Sequence, residues 1–154
     1  MASRGAYCLC LRVSRALWVR VGSLGVLFFP PGRYIYVGSA LRGLEGRLRR
    51  HMELNMGLRS KVFWHIDHLL TERDVEIEAV YIKPSDRRIE CEVAESVSRV
   101  GRAVRGFGSS DCRCQSHLFQ VDDLRFLSGL GFRPWFEGGR WLKSGESVIL
   151  SEVD

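Results

Sequence analysis

The chain has 154 residues, of which 45% are hydrophobic and 27% are charged, a composition typical of an ordinary soluble globular protein with one domain and room for a small appendage. No apolar run reaches the length of a membrane-spanning helix and no secretory signal is recognised, so we expect a cytoplasmic protein without a membrane partner. The five cysteines are an odd number, which argues against a disulfide framework. The formal net charge of +5 comes mainly from arginine, whose fork suits phosphate, and it weakly favours a nucleic-acid partner.

The predicted elements begin with a strand at residues 5–13, whose odd-numbered apolar residues share one face while Cys8 and Cys10 occupy the other. The pattern then predicts, in chain order, a hairpin at 17–21 and 24–29, a strand at 34–37, a helix at 41–54, a short helix at 64–70, a strand at 75–82, a helix at 89–104, a glycine- and serine-rich loop at 106–111, a strand at 118–121 and a short helix at 122–129 with Asp122 as its N-cap. Residues 131–153 contain several aromatic side chains and predict β segments that turn at Gly138-Gly139.

These elements predict an α/β (α+β) fold, in which a small and mainly antiparallel sheet is flanked by helices. We expect residues 1–121 to form the main domain. Residues 122–154 are expected to form a C-terminal appendage of one short helix and β segments.

The helix predicted at 41–54 places charged residues beside the core. At about 100° per residue, an apolar stripe that includes Leu48 faces inwards. Arg47 and His51 are spaced i and i+4, so they lie side by side at the edge of that stripe. Arg49 and Arg50 are expected to point towards solvent. An arginine and a histidine at the edge of the core suit a phosphate better than packing alone.

The sequence resembles the GIY-YIG endonuclease superfamily, and in particular its small stand-alone Uri-type branch. The resemblance rests on Gly5-Ala6-Tyr7, then Tyr36-Val37-Gly38, then Arg47 and His51, followed by a glutamate on a later helix. Two further blocks that resemble that branch are Trp64-His65-Ile66-Asp67 and residues 106–117. The resemblance covers about residues 5–119, and the appendage lies outside it.

The resemblance implies hydrolysis of a DNA phosphodiester bond with one divalent ion, Mg²⁺ or Mn²⁺. The catalytic residues that it implies are Tyr7, Tyr36, Arg47, His51 and Glu90. The residue types suit this chemistry, because a cation must neutralise the phosphodiester before water attacks, and a single carboxylate with phosphate oxygens and waters suits Mg²⁺. Arg47 would stabilise the transition state, and Tyr36 would orient water or phosphate. Tyr7 would take the proton of water only with a lowered pKa, with assistance from His51.

Glu90 is expected to be the metal ligand. Three glutamates lie on the helix predicted at 89–104, and periodicity separates them. Glu90 falls at the rim of the apolar stripe, where a cleft would meet the core, whereas Glu95 faces solvent and Glu92 is the second choice.

Other residues are expected around the catalytic group, either supporting it or binding substrate. They are Gly38, Ser39, Arg50, His65, Asp67, Asp111 and His117. For His65 and Asp67 the alternative is a purely structural hydrogen bond, and Trp64 is expected in the core.

The spacing Cys112-x-Cys114-x-x-His117 is compatible with part of a zinc site, which Cys91, His65 or Asp67 would complete. The spacing is not that of a standard zinc finger, and no second cysteine pair is evident. A packed loop bonded to its own backbone, or to DNA phosphates, is the alternative that we favour.

Three functions follow from these patterns. The first is a metal-dependent DNA endonuclease that acts on structured or damaged duplex in repair or recombination. The second is a non-catalytic nucleic-acid-binding module with the same fold. The third is a zinc-dependent interaction module. The complete set of tyrosines, arginine, histidine and glutamate favours the first over the second.

Overall fold

The computed structural model describes residues 4–137, 140–143 and 146–149, and side chains are described for residues 4–137. The strands are β1 (Gly5–Val13), β2 (Leu17–Arg20), β3 (Val26–Phe29), β4 (Gly32–Ala40), β5 (Val75–Pro84), β6 (Arg102–Ala103), β7 (Leu118–Val121), β8 (Arg133–Glu137), β9 (Arg140–Lys143) and β10 (Glu146–Ile149). The helices are α1 (Leu44–Asn55), α2 (His65–Leu70), α3 (Glu90–Ser98) and α4 (Phe126–Gly129), with a 3₁₀ turn at Gly22–Leu24.

The main sheet has eight strands in the order β10-β9-β8-β5-β1-β4-β7-β6, and each neighbouring pair is antiparallel. Strands β2 and β3 form a separate hairpin. The predicted α+β fold is therefore confirmed, including the C-terminal β segments, which extend the sheet beyond β5. Among the described residues, no helix combines the length and the apolar character needed to cross a membrane.

Strand β1 is central to the sheet and separates two hydrophobic cores. Tyr7 and Leu9 belong to the core that holds Leu48 of α1 and the apolar side of α2. Cys8 and Cys10 point to the opposite core, which holds the apolar stripe of α3. This alternation is the one predicted from the sequence, and it arises because successive strand residues point to opposite faces. The chain thus covers both faces of its central strand with helices.

The start of α1 and the end of α3 differ from the prediction by several residues. Helix α1 begins after Gly43, which adopts a left-handed conformation with φ of 57°. Helix α3 ends at Ser98 instead of residue 104, because the chain turns at Gly101 to place β6 beside β7. A side chain at Gly101 would lie only 3.0 Å from the Gln120 carbonyl oxygen. Val100, predicted to be in the apolar stripe, is consequently 54% exposed.

The C-terminal segment also departs from expectation. Helix α4 has Arg125 rather than Asp122 as its N-cap residue. Asp123 instead accepts a hydrogen bond from the Arg125 amide at 3.0 Å, which delays the helix start. The predicted turn at Gly138-Gly139 lies outside the described residues.

Asn55 links the end of α1 to two other elements. Its Nδ2 donates to the carbonyl oxygens of Leu70 at 3.0 Å and Val75 at 2.8 Å, and its Oδ1 accepts from the Ile77 amide at 2.9 Å. One amide side chain thereby satisfies three backbone groups where α1, α2 and β5 meet. Since an unpaired buried backbone group is costly, Asn55 holds these elements in register.

We expect Asn55→Leu to lower the free energy of unfolding by roughly 2–4 kcal/mol, because an apolar side chain of similar size leaves three backbone groups unpaired. Denaturant unfolding followed by circular dichroism measures the change. Leu58→Ala is the control, since Leu58 is 59% exposed just beyond the same helix. Its effect should stay within about 0.5 kcal/mol. Equal small effects for both variants would show that water replaces the Asn55 amide.

Candidate functional site

A cleft of about 700 Å³ opens where β1 and β4 pair near the start of α1. In the β1–β4 register, Tyr7 lies opposite Gly38 and Ala6 lies opposite Ser39. The polar and charged side chains that line the cleft are Tyr7, Tyr36, Ser39, Arg42, Arg47, His65, Arg88, Glu90, Ser110, Asp111 and His117. The residues reach the cleft from β1, β4, α1, α2, α3 and the loop before β7, so the fold assembles it from distant parts of the sequence.

Gly38 is required by the position of Tyr7. The Tyr7 ring lies directly over Gly38, and a Cβ atom at Gly38 would overlap the ring carbons and the hydroxyl oxygen. A residue without a side chain at this point of β4 lets the Tyr7 ring cross the strand. The Tyr7 hydroxyl can then reach α1.

Tyr7 and His51 form a buried neutral pair. The Tyr7 hydroxyl oxygen lies 2.8 Å from His51 Nε2. Burial lowers the pKa of His51 to about 3, and burial raises the pKa of Tyr7 to about 12 although the nearby Arg47 lowers it. Both side chains are therefore uncharged near neutral pH. Burial also raises the pKa of Tyr36 well above its usual range.

His51 Nδ1 is the one buried side-chain nitrogen or oxygen without a hydrogen-bond partner among the described residues. Leaving a buried polar atom unpaired costs about 1–3 kcal/mol.

Ser39 connects a cation to a carboxylate. Arg47 Nη1 donates to the Ser39 carbonyl oxygen at 3.1 Å, and the Ser39 hydroxyl donates to Glu90 Oε2 at 2.8 Å. The Glu90 side chain is 17% exposed, with Arg88 Nη1 at 3.7 Å from its other oxygen. The structure thus places Glu90 at the rim between the core and the cleft, as the helical periodicity predicted.

Trp64 contacts two arginines at the cleft, an arrangement that the sequence did not predict. The guanidinium carbons of Arg47 and Arg50 lie 4.6 and 4.7 Å from the centre of its ring. Cation–π contact of this kind restricts both arginines. Trp64 is half-buried: it packs against the core, as predicted, and also lines the cleft. Its signals in the sequence are the block Trp64-His65-Ile66-Asp67, which is part of the resemblance, and its position directly before a helix start.

Arg50 was wrongly expected to face solvent. It forms a bidentate pair with the buried Asp67, with both nitrogen–oxygen distances at 2.9 Å. Burial raises the pKa of Asp67, but bonds from Arg50 and from the amides of Trp64 and Phe63 outweigh it and lower the pKa overall. The pair therefore lies behind Trp64 and fixes the start of α2.

The loop before β7 forms the opposite wall of the cleft. Its Gly108 amide donates to His65 Nδ1 at 2.9 Å, which ties the loop to α2. Gly108 has φ of 72°, and a Cβ atom there would lie 3.0 Å from the Tyr36 ring. Asp111 lines the same wall. His65 therefore has the structural hydrogen bond that was the alternative for it, while its ring still borders the cleft.

A cysteine cluster adjoins this wall. One ligand atom each from Cys91, Cys112, Cys114 and His117 all lie within 4.8 Å of one another. His117 Nε2 is 3.4 Å from Cys112 Sγ and 3.9 Å from Cys91 Sγ. Three thiols and one imidazole could bind a metal, and this donor set favours zinc over magnesium.

Residues 6–129 match the family described as "Domain of unknown function DUF123". The chain belongs to the DUF123 family. No curated protein and no solved structure matches the chain. The DUF123 match includes every residue that lines the cleft.

Most of the residues predicted for the site converge in this DUF123 domain. Those that line the cleft are Tyr7, Tyr36, Gly38, Ser39, Arg47, His65, Glu90, Asp111 and His117. His51 lies directly behind Tyr7, and the Arg50–Asp67 pair lies behind Trp64. The sequence did not reveal Arg88, whose only signal is its position two residues before Glu90.

We expect His51 to reduce stability in mild acid. Its folded pKa is about 3, whereas an unfolded histidine has a pKa of about 6.5. Between these values only the unfolded chain binds the proton, so stability is lost as pH falls below about 6.5, at up to about 1.4 kcal/mol per pH unit. Denaturant unfolding of the wild type and His51→Gln between pH 7 and 4 should therefore show a steeper loss in the wild type. Parallel losses would mean that folded His51 accepts the proton.

Proposed function

We propose that the protein is a divalent-metal-dependent endonuclease of the GIY-YIG type, close to the Uri branch, that hydrolyses phosphodiester bonds in DNA. The observation that carries the proposal is the position of Ser39 between Arg47 and Glu90. Ser39 thus holds a guanidinium that could bind a phosphate close to a carboxylate that could bind the metal ion. Tyr7 and Tyr36 border the same cleft.

The donors at the cleft fit a hard divalent ion such as Mg²⁺ or Mn²⁺. Glu90 offers a carboxylate at the rim, and Asp111 lines the same space. The cleft has room for waters and phosphate oxygens, which would complete the six oxygen ligands that Mg²⁺ prefers. Arg88 is 66% exposed, so it can move away from Glu90 when an ion binds. When bound, the ion would neutralise the phosphate and lower the pKa of an attacking water.

The side chains at the cleft would stabilise the transition state and transfer the proton of the attacking water. Arg47 would donate to the non-bridging phosphate oxygens as charge grows in the transition state. The Tyr7 hydroxyl donates to His51 when the imidazole carries its proton on Nδ1, so the lone pairs of the Tyr7 oxygen turn to the cleft. Tyr7 would accept the proton of water at this oxygen while passing its own proton to His51. Because His51 has a pKa of about 3 in the free protein, this transfer needs the negative charge of the bound substrate.

The surroundings of the cleft suit DNA. Arg42 and Arg88 line it and would contact phosphates on either side of the cut. Phe63 is 78% exposed beside Trp64, with their ring centres 5.4 Å apart. Exposed aromatic rings stack on unpaired bases, so a structured or damaged duplex is the substrate that we favour. A role in DNA repair or recombination follows from such a substrate.

A non-catalytic DNA-binding module is the other candidate. The convergence of Tyr7, Tyr36, Arg47 and Glu90 on one cleft, with His51 bonded to Tyr7, argues against it, because DNA binding alone does not need this set. Incubation with nicked, flapped, branched and single-stranded DNA in Mg²⁺ or Mn²⁺ separates the two functions. Binding without cleavage of any of these substrates would reject the endonuclease.

Glu90→Gln should abolish metal-dependent cleavage while DNA binding in EDTA remains within a few-fold of the wild type. The amide keeps the size of Glu90 but loses the charge that attracts the ion. Glu92→Gln is the matched control, because Glu92 lies two residues along the same helix, is 62% exposed and pairs with Arg87. Loss of cleavage in Glu92→Gln with normal cleavage in Glu90→Gln would show that the metal ligand is Glu92 and not Glu90.

Arg47→Ala should reduce the single-turnover cleavage rate by roughly 100- to 1000-fold, because the lost contact strengthens in the transition state. The dissociation constant for DNA should change much less. Arg49→Ala, an exposed arginine on the same helix, controls for the loss of one positive charge. If Arg47→Ala weakened binding and left turnover unchanged, Arg47 would be only a backbone contact.

A further inference from the structure

We propose that Cys91, Cys112, Cys114 and His117 bind one structural zinc ion, which fixes α3 and the loop before β7 at the edge of the cleft. Cys91 is the second residue of α3, Cys112 and Cys114 lie in the loop, and His117 precedes β7. Four ligand atoms from two separate parts of the chain thus meet within 4.8 Å.

The spacing of the cluster matches a single tetrahedral ion. Zinc binds sulfur at about 2.3 Å and imidazole nitrogen at about 2.05 Å, which places sulfur and nitrogen about 3.5 Å apart. His117 Nε2 lies 3.4 Å from Cys112 Sγ and 3.9 Å from Cys91 Sγ. The side chains therefore need little movement to enclose the ion.

The hydrogen bond of His117 leaves the required nitrogen free. His117 Nδ1 lies 3.1 Å from the Val37 carbonyl oxygen, and a carbonyl only accepts, so Nδ1 carries the proton. Nε2 then has its lone pair available and faces the thiols. Histidine ligands of zinc usually donate their other nitrogen to a carbonyl in this way, which fixes the tautomer and the ring orientation.

The remaining candidates for a fourth ligand are engaged elsewhere. His65 Nδ1 accepts from the Gly108 amide, and Asp67 is paired with Arg50. Cys91 therefore completes the set. Three thiolates and one imidazole, all from the protein, form a closed site that holds zinc for stability, whereas a catalytic zinc keeps an open position.

The loop before β7 has a physical need for such an ion. Its base is closed by bonds from the Gly106 amide to Gln115 and from the His117 amide to Phe107, each at 2.8 Å. Its tip contains little regular structure of its own, and loops of this length need some other restraint to hold one conformation. Two of the proposed ligands lie in this tip, so the ion would restrain the part that the backbone bonds do not.

The ion would also act on the cleft through neighbouring residues, a consequence that rests on the proposed function. Cys91 directly follows Glu90, and Cys112 directly follows Asp111. Holding both cysteines would set the distance between the two carboxylates across the cleft. Glu90 and Asp111 are thereby positioned by a centre that does not contact the substrate.

Zinc content of the purified full chain tests the site without DNA or Mg²⁺. Mass spectrometry of the metal should find about one zinc ion per chain. Cobalt substitution should give the intense visible bands of a tetrahedral thiolate site. Cys91→Ser and Cys114→Ser should each lose most of the zinc. Cys91 is exposed, so serine there leaves the core intact.

Cys10→Ala is the control for loss of a thiol, because Cys10 is buried in the core away from the cluster and should leave the zinc content unchanged. A strong chelator should lower the melting temperature of the wild type by several degrees and leave that of Cys91→Ser unchanged. A wild-type chain that holds no zinc and takes up none from micromolar solution would overturn the proposal. Full zinc in Cys91→Ser, or a disulfide within the cluster by intact mass, would do the same.

Glu90→Gln separates this proposal from the endonuclease. It should keep its zinc whether or not the wild type cuts DNA. If the chain binds zinc but cuts no DNA substrate, the zinc site stands and the endonuclease proposal is rejected. If the chain cuts DNA but binds no zinc, the endonuclease proposal stands and the zinc site is rejected. Cleavage at the wild-type rate by zinc-free Cys91→Ser would overturn the positioning of Glu90.

Discussion

The crossing of Tyr7 over Gly38 determines the geometry of the cleft. Because Gly38 has no side chain, the Tyr7 ring lies across β4 and its hydroxyl meets His51 on α1. The residue after Gly38 is Ser39, which holds both Arg47 and Glu90. A slip of one residue in the β1–β4 register would turn Tyr7 to the opposite face and disconnect both helices from the strand.

Charge is distributed by depth in this site. The interior pair, Tyr7 and His51, is neutral, because burial disfavours the charged form of each. Arg47 and Glu90 carry their charges at the rim, where solvent reaches them. Asp67, which is buried nearby, is compensated by Arg50 and two backbone amides. The fold thus places charged side chains at the solvent-accessible rim of the cleft and neutral ones in its interior, where an unpaired charge would be costly.

The sequence predicted the strands and the positions of most residues that line the cleft, because these depend on local periodicity. Tyr7 and Glu90 were placed on the correct faces by a period of two and of 3.6 residues. The sequence-based prediction failed where contacts between distant elements determine the local structure. Helix α3 ends before the predicted residue because β7 packs closely against Gly101. Arg50 points inwards because it pairs with Asp67, which lies on another helix. Cys91, rather than His65 or Asp67, lies beside Cys112, Cys114 and His117 because of the way α3 approaches the loop, which no local sequence pattern predicts.

The central place of β1 has a consequence for the order of folding. Its partners are β4 and β5, so β1 gains its second neighbour only when residue 84 has been made. Pairings between such distant segments are slow to form. Until then β1 has an apolar edge that is open to other chains, a known risk for aggregation. The cleft is completed later still, because its lining residues extend to His117. On the ribosome, the cleft is therefore completed only after residue 117 has been made.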